Sequence, residues 1–485
     1  MVLGTRGQLL LSLASGALAA AAMPATGAWP LAFVMLIPLA WALDEGAGFR
    51  AGFAFGVAFF ALDLRWVLTL FRFSPLVVPG YILLIAYLAA TVGLATWILA
   101  RLRRRCGPWR WAVALGALFA LIEWLRALGP LGLTFPSLYL TLSTVPAWIQ
   151  LAAWMGPAAL TALLVTANGF LALAMKRRAP RFLWGTLIAL GLLWTPHLAP
   201  PTPDVATPLR FALVSSRVEQ ETKLGARDPA PLQARYVSLG REALAGRPDV
   251  IVFPESILPI YTLRDAQALE EFASLARDGA TRVLLGTGDV RNREIFNSVA
   301  LLDPSGAVVS TYDMVRPVPF GEYIPARALL EGLGLSRMIN SFLPRDLTAG
   351  RSSTPLAEFG TPICFESTFA KGPRDFVRAG ARILVVVTND AWFSGRAEAR
   401  AHFAFASLRA VETRRYVVQA ANGGLTGAVS PTGRVLAQTD REGVTYVEVV
   451  PREEVTPYVR FGDGPAIAAL ALAAAVAWAR RRPTA

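Results

Sequence analysis

The sequence predicts two architectures in one chain: a multi-span α-helical membrane domain, and an α/β block with two mixed sheets between helix layers. Three observations carry this. The 485 residues are 54% hydrophobic and only 17% charged, with mean hydropathy +0.46, whereas a soluble domain runs near a quarter charged. The apolar residues are segregated: residues 1–199 are nearly continuous apolar runs, 200–462 read as globular sequence, and 465–479 is apolar again. Within the globular part, short β-rich runs alternate with helical patterns and hairpin turns. This composition excludes a disordered, collagen-like or disulfide-rich chain.

A membrane helix needs ~20 largely apolar residues. Candidate spans are 8–24, 28–43, 50–71, 79–100, 109–127, 147–175, 182–199 and 465–479. The first also reads as a cleavable signal peptide, because small residues near 18–25 offer cleavage sites. The net charge of +13 first suggests nucleic acid, but the basic residues cluster beside apolar runs, and no nucleic-acid-binding signature accompanies them. With a cytoplasmic N-terminus and eight spans, Arg6, Arg50, the clusters at 101–110 and 176–181 and the triplet Arg480–Arg482 all fall on the cytoplasmic side. The opposite short loops receive Arg72 and Arg126. This is the positive-inside bias, and it predicts residues 200–462 on the outer face. The expected organisation is a membrane domain over 1–199 with about seven transmembrane helices and a linker over 200–208. A globular domain follows over 209–462, then a last span with a basic cytoplasmic tail over 463–485. Inside the spans Asp63, Arg65, Glu123 and Arg126 are costly polar residues. They read either as helix-packing glue or as the lining of a lipid-facing cleft.

In the globular block, strands are expected at Arg210–Ser215, Val250–Phe253, Arg282–Leu285, Asn297–Leu302 and Ala307–Tyr312. The last two flank the turn sequence Asp303-Pro304-Ser305-Gly306. Pro362–Cys364 ends another strand. Ile383–Thr388, Val417–Ala421, Thr426–Ser430, Val435–Gln438 and Thr445–Val449 follow. Helices are expected at Pro231–Leu244, Leu263–Ala276 and Glu398–Thr413.

The two cysteines, Cys106 and Cys364, fall on opposite faces of the membrane in this topology and so form no disulfide. Cys106 lies in a cytoplasmic loop. Cys364 is a lone thiol at a strand end outside the cytoplasm; from position alone it is either a small core residue or a reactive thiol. The chain has two histidines, His197 and His402, so a Cys–His protease would depend on His402, which a helical context marks as partly exposed or capping. No Gly-x-Ser-x-Gly elbow and no metal-ligand cluster is present. No cofactor and no metal are expected.

Three segments end strands: Phe253-Pro254-Glu255-Ser256, Val318-Pro319-Phe320-Gly321-Glu322-Tyr323-Ile324-Pro325, and Pro362-Ile363-Cys364-Phe365-Glu366. Thr388-Asn389-Asp390-Ala391-Trp392-Phe393 lies downstream. In this order they resemble the nitrilase (carbon–nitrogen hydrolase) superfamily. Joined to eight spans, with the stretch Glu123–Arg126 and the Phe135-Pro136 loop, the whole chain resembles the apolipoprotein N-acyltransferases. That resemblance implies a nitrilase-like αββα sandwich and a multi-pass protein of the bacterial inner membrane with its catalytic domain facing the periplasm. It implies acyl transfer through a thioester, from a phospholipid donor to the diacylglyceryl-cysteine of an apolipoprotein, with no nucleic-acid partner. Cys364 is the implied nucleophile and Glu255 the implied general base. Glu322 is a supporting carboxylate, and Phe365 and Glu366 shape the site and position substrate.

Three places depart from the family pattern. The family's catalytic Lys, eight residues before the Glu of Pro-Phe-Gly-Glu, falls on Met314, and Arg316-Pro317 stands where the family tends to have His-Leu. The family's early Trp falls on Leu224, after Lys223. A thioether donates no hydrogen bond to an oxyanion, and one such donor is worth roughly 10²–10³ in rate. Three readings stay open: Arg316 supplies the charge, the chain is a slow or altered acyltransferase, or it is a non-catalytic relative or engineered variant that binds lipid or lipoprotein. A membrane-tethered amidase, with water in place of the amine, is the alternative chemistry.

Overall fold

The computed structural model describes residues 4–103, 105–198, 201–259, 261–393 and 395–479. Arg104 and the triplet Arg480–Arg482, used above for topology, lie outside them. The chain divides into two compact units, Met1–Pro200 with Arg460–Ala485, and Pro201–Val459.

The first unit is helical. Helices occupy Thr5–Ala22, Ile37–Asp44, Phe49–Asp63, Val77–Arg103, Pro108–Arg126, Ala152–Arg177, Arg181–Trp194 and Gly464–Trp478. Three are long and apolar enough to cross a membrane: Phe49–Asp63 with its tighter continuation to Arg72, Val77–Arg103, and Ala152–Arg177. Several expected runs are interrupted. The run at 28–43 breaks into a short turn at Trp29–Phe33 and the helix from Ile37. The helix near residue 150 starts at Ala152 and kinks at Gly156, where φ is 72° ahead of Pro157, as a missing proline N–H and a left-handed residue require. Small residues let helices touch. A Cβ on Gly56 would sit 2.6 Å from Ala89 Cα, and one on Gly116 would sit 2.2 Å from the Ala162 carbonyl. Such backbone approach is how helices associate without a hydrophobic drive between them. Glu123 accepts from the Leu138 amide and the Thr161 hydroxyl, each at 2.6 Å. Arg126 donates to the Pro136 carbonyl and Ser137. Both side chains thus tie their helix to the 134–138 loop, and both also line a cavity with Phe55, Phe59, Phe60 and Phe119.

The second unit is two sheets with helices outside. Strands β1 (Leu209–Ser215), β2 (Val250–Val252), β3 (Arg282–Arg291), β4 (Glu294–Leu302), β5 (Val308–Asp313) and β11 (Gly443–Val449) form one, in order β11-β1-β2-β3-β4-β5. The other runs β10-β9-β8-β7-β6, from β6 (Phe359–Gly360), β7 (Ile383–Asn389), β8 (Val417–Asn422), β9 (Thr426–Val429) and β10 (Val435–Thr439). Strand alternation sorts the core. Phe211, Leu213, Val250 and Val252 join Val385, Val387, Val418 and Ala420 in the apolar layer that includes both sheets. Ala212, Val214, Ile251 and Phe253 face the helices Ala230–Leu244 and Ala266–Gly279. The expected strands are present, with two differences. β3 runs six residues past Leu285 and turns at Asn292-Arg293, both at positive φ, into β4. That is the backbone a two-residue hairpin needs, hidden in sequence by a polar, glycine-rich stretch. The strand expected to end at Cys364 is only β6, and Cys364 instead opens a tight turn, Cys364–Thr368. The helix expected from Leu263 starts at Ala266, where Asp265 caps it by accepting from the Ala268 amide. Asn422, at the end of β8, joins the sheets. It accepts from the Ser216 hydroxyl and Val218 amide and donates to the Val218 carbonyl and Asn389.

Candidate active site

Each of the three motif segments contains one non-glycine residue in the left-handed region: Ser256 (φ 43°), Phe320 (φ 62°) and Cys364 (φ 47°). Such residues cost free energy and persist where the surroundings over-determine them, which is typical of functional sites. β2 delivers Glu255 just past its end, and the turn after β6 delivers Cys364. Gly286 on β3 allows this, since a Cβ there would lie 2.1 Å from the Pro254 carbonyl oxygen.

Glu255 is buried, its Oε2 accepts no hydrogen bond among the described residues, and its carboxyl lies in the electrostatic field of the Cys364 thiol. Asn297 on β4 donates its amide to Glu255 Oε1 at 2.6 Å and to Glu322 Oε1 at 3.2 Å. Glu322 also accepts from the Val318 amide at 2.7 Å, which folds its loop onto itself. Burial, and then the Glu322 charge, push the Glu255 carboxyl up to about 8. Burial also raises Glu322. Burial first, then Glu255 and Asp390, hold the Cys364 thiol well above its ordinary value. In chemical terms this is a desolvated thiol in the field of a carboxyl whose proton affinity lies near neutrality. A base so poised takes a thiol proton and returns it.

The supporting residues behave differently from one another. Glu366 is buried and saturated: it accepts from the Ile363, Val315 and Arg316 amides and from the Tyr312 hydroxyl. Burial brings its carboxyl to about 7. It braces the nucleophile turn to the 312–316 segment. Phe365 stacks edge-on against Phe369, centroids 4.9 Å apart. Met314 is buried with its Sδ 3.7 Å from Asn297 Nδ2. The Arg316 guanidinium lies over the Phe369 ring at 3.7 Å, and its electrostatic partners are Tyr323 and Glu366.

Three residues escaped the sequence reading of the site. Asn297 shares strand phase with the core residues Val299 and Leu301, so a polar residue on an inward face was the available signal. Lys223 is 3% exposed, donates to the Ser256 carbonyl at 3.2 Å and lies in the field of Glu255. Burial lowers its ammonium to about 8. His402 is neither exposed nor a cap. It is 3% exposed, 3.0 Å from Asp390 Oδ1 and 3.1 Å from the Cys364 carbonyl. Its helical phase with Ala399, Phe403 and Ala406, all in the core, would have placed it inside. The ligand atoms of Asp390, Glu398 and His402 lie within 4.8 Å of one another. Asp390 Oδ1 and both ring nitrogens are already hydrogen-bonded, so the cluster reads as a polar network.

The carbon-nitrogen hydrolase family model matches residues 217–458, and the apolipoprotein N-acyltransferase N-terminal domain model matches residues 15–170. The chain is 32% identical to the apolipoprotein N-acyltransferase of Geobacter metallireducens, covering 97% of this chain and 95% of that one. It is 31% identical to that of Allorhizobium ampelinum, covering 92% and 90%. Among solved structures, an amidase from Nesterenkonia sp. superposes with a TM-score of 0.41 at 15% identity, over 55% of this chain and 97% of that chain.

Proposed function

The chain belongs to the apolipoprotein N-acyltransferase family, and on that premise we propose that it N-acylates the N-terminal diacylglyceryl-cysteine of apolipoproteins, with Cys364 as nucleophile and Glu255 as general base. The observation that carries the assignment is that the buried Glu255 carboxyl and the Cys364 thiol, on a turn held at φ 47°, lie in each other's electrostatic field. Glu255 takes the thiol proton as Sγ attacks the acyl ester of a phospholipid. The tetrahedral intermediate collapses, and the lysophospholipid alkoxide leaves with the proton from Glu255. The acceptor amine then attacks the thioester. Glu255 removes its proton, the C–S bond breaks to give the amide, and the proton returns to the thiolate. This two-stage displacement is ping-pong.

Glu322 and Asn297 hold Glu255 in place, and Glu366 fixes the turn that carries the nucleophile. The Lys223 ammonium favours the ionised base. We assign 1–199 and the span within 463–485, with its basic tail in the cytoplasm, to a bacterial inner membrane on the strength of the family, and 209–462 to its periplasmic face on the strength of the charge bias. Likeness to acyltransferases over nearly the whole chain favours an amine acceptor over the hydrolytic, amidase reading. Met314 is the one observation favouring a slow or non-catalytic member. Intact mass of the purified chain decides. An acyl adduct should form on phospholipid, survive Cys106→Ser and vanish in Cys364→Ser. Adduct in the Cys364→Ser protein would refute the assignment.

A further inference from the structure

We infer that His402, held as an imidazolium by Asp390, is a positioning residue that locks the left-handed backbone of Cys364 and turns positive charge toward the nucleophile. The inference deepens the function proposed above, resting on Cys364 as nucleophile, and follows from a count of hydrogens. Ser367 has one hydroxyl hydrogen, and it goes to the Cys364 carbonyl at 2.7 Å. Ser367 Oγ therefore accepts at its 2.9 Å contact with His402 Nε2. Nε2 also lies 3.1 Å from the same carbonyl oxygen, which only accepts. Nε2 must carry a hydrogen. The other ring nitrogen, Nδ1, is 3.0 Å from Asp390 Oδ1 and 3.5 Å from Thr388 Oγ1, whose single hydrogen goes to Asp390 Oδ1 at 2.7 Å. A carboxylate only accepts, so Nδ1 carries a hydrogen as well. Both nitrogens protonated is the imidazolium.

The groups around the ring are consistent with that charge. Asp390 faces it from the end of β7, Glu398 at 3.9 Å from its own helix, Cys364 from the nucleophile turn, and Glu255 acts on it through space. Burial and the Asp390 charge hold the Glu398 carboxyl well above its ordinary range. Burial opposes the imidazolium, but Asp390, the Cys364 carbonyl and Glu255 leave His402 above its ordinary value. Asp390 and His402 are thus an oriented ion pair with its positive end against the nucleophile residue. Two donors, Ser367 Oγ and His402 Nε2, grip one carbonyl of a residue at φ 47°. That grip fixes where Sγ points.

The test uses the full chain in detergent with Cys106→Ser, so that iodoacetamide reads Cys364 alone. His402→Gln keeps a donor and removes the charge. The pH at half-maximal alkylation should rise by about one unit, roughly tenfold slower reaction on the rising limb. A lower melting temperature with an unmoved profile would mean a merely structural histidine and would overturn the inference. Should His402→Gln not fold, nitrogen-15 NMR of histidine-labelled chain carrying His197→Gln isolates His402, since the sequence has two histidines. Two protonated ring nitrogens at pH 7.5 are expected, and a neutral tautomer would sink the idea. Iodoacetamide needs no acyl substrate, so the outcome is separable from the acyl-transfer reading.

Discussion

The Sδ of Met314 lies 3.7 Å from Nδ2 of Asn297, the amide that bridges the carboxyls of Glu255 and Glu322. Two buried acids there share one neutral donor, with a thioether beside it. Restoring an ammonium by Met314→Lys should raise acyl transfer by roughly 10²–10³-fold through oxyanion stabilisation. The same charge should move the acid limb of the rate–pH profile below pH 8. Acyl transfer from phospholipid in micelles measures both. No gain, with lipid binding retained, would favour the non-catalytic reading.

Glu255 also makes stability depend on pH. Its carboxyl titrates at about 8 in the folded chain against an ordinary value of 4.5. Between those values the folded state keeps a proton that the unfolded state has released, so stability falls as pH rises through the window. Glu255→Gln removes that dependence. Its melting temperature relative to the parent should improve from pH 5 to about pH 8 and level off above that, and a constant offset would contradict the raised carboxyl.

Lys223 and Glu255 should together give a bell-shaped rate profile centred near pH 8, since burial brings both groups to about that value. In Lys223→Met the alkaline limb should disappear and the acid limb should move up. An unchanged bell would show that Lys223 does not act on the base.

Topology is tested with fusions. A reporter inserted near residue 230 should behave as exported, and one near 178 or 484 as cytoplasmic. A cytoplasmic signal at 230 would remove the site from the periplasmic face and with it the lipoprotein substrate.

Much of this chain is legible in its sequence because periodicity and punctuation are local. The apolar β-rich run Phe211–Val214, the Asp303–Gly306 turn and the apolar runs of the first unit each follow from neighbouring residues. So does the order of Glu255, Glu322 and Cys364 along the chain. Tertiary structure alone decided what those residues meet. Asn297 is an ordinary strand residue until β4 brings it between two carboxyls, and Lys223 is an ordinary helical lysine until burial places it in the field of Glu255. His402 looks like a solvent-facing histidine until packing carries its ring beneath Cys364. A hydrogen bond between residues 38 positions apart, such as His402 to the Cys364 carbonyl, has no trace in either local sequence. Its worth comes from a low-dielectric interior that only the assembled sheets create.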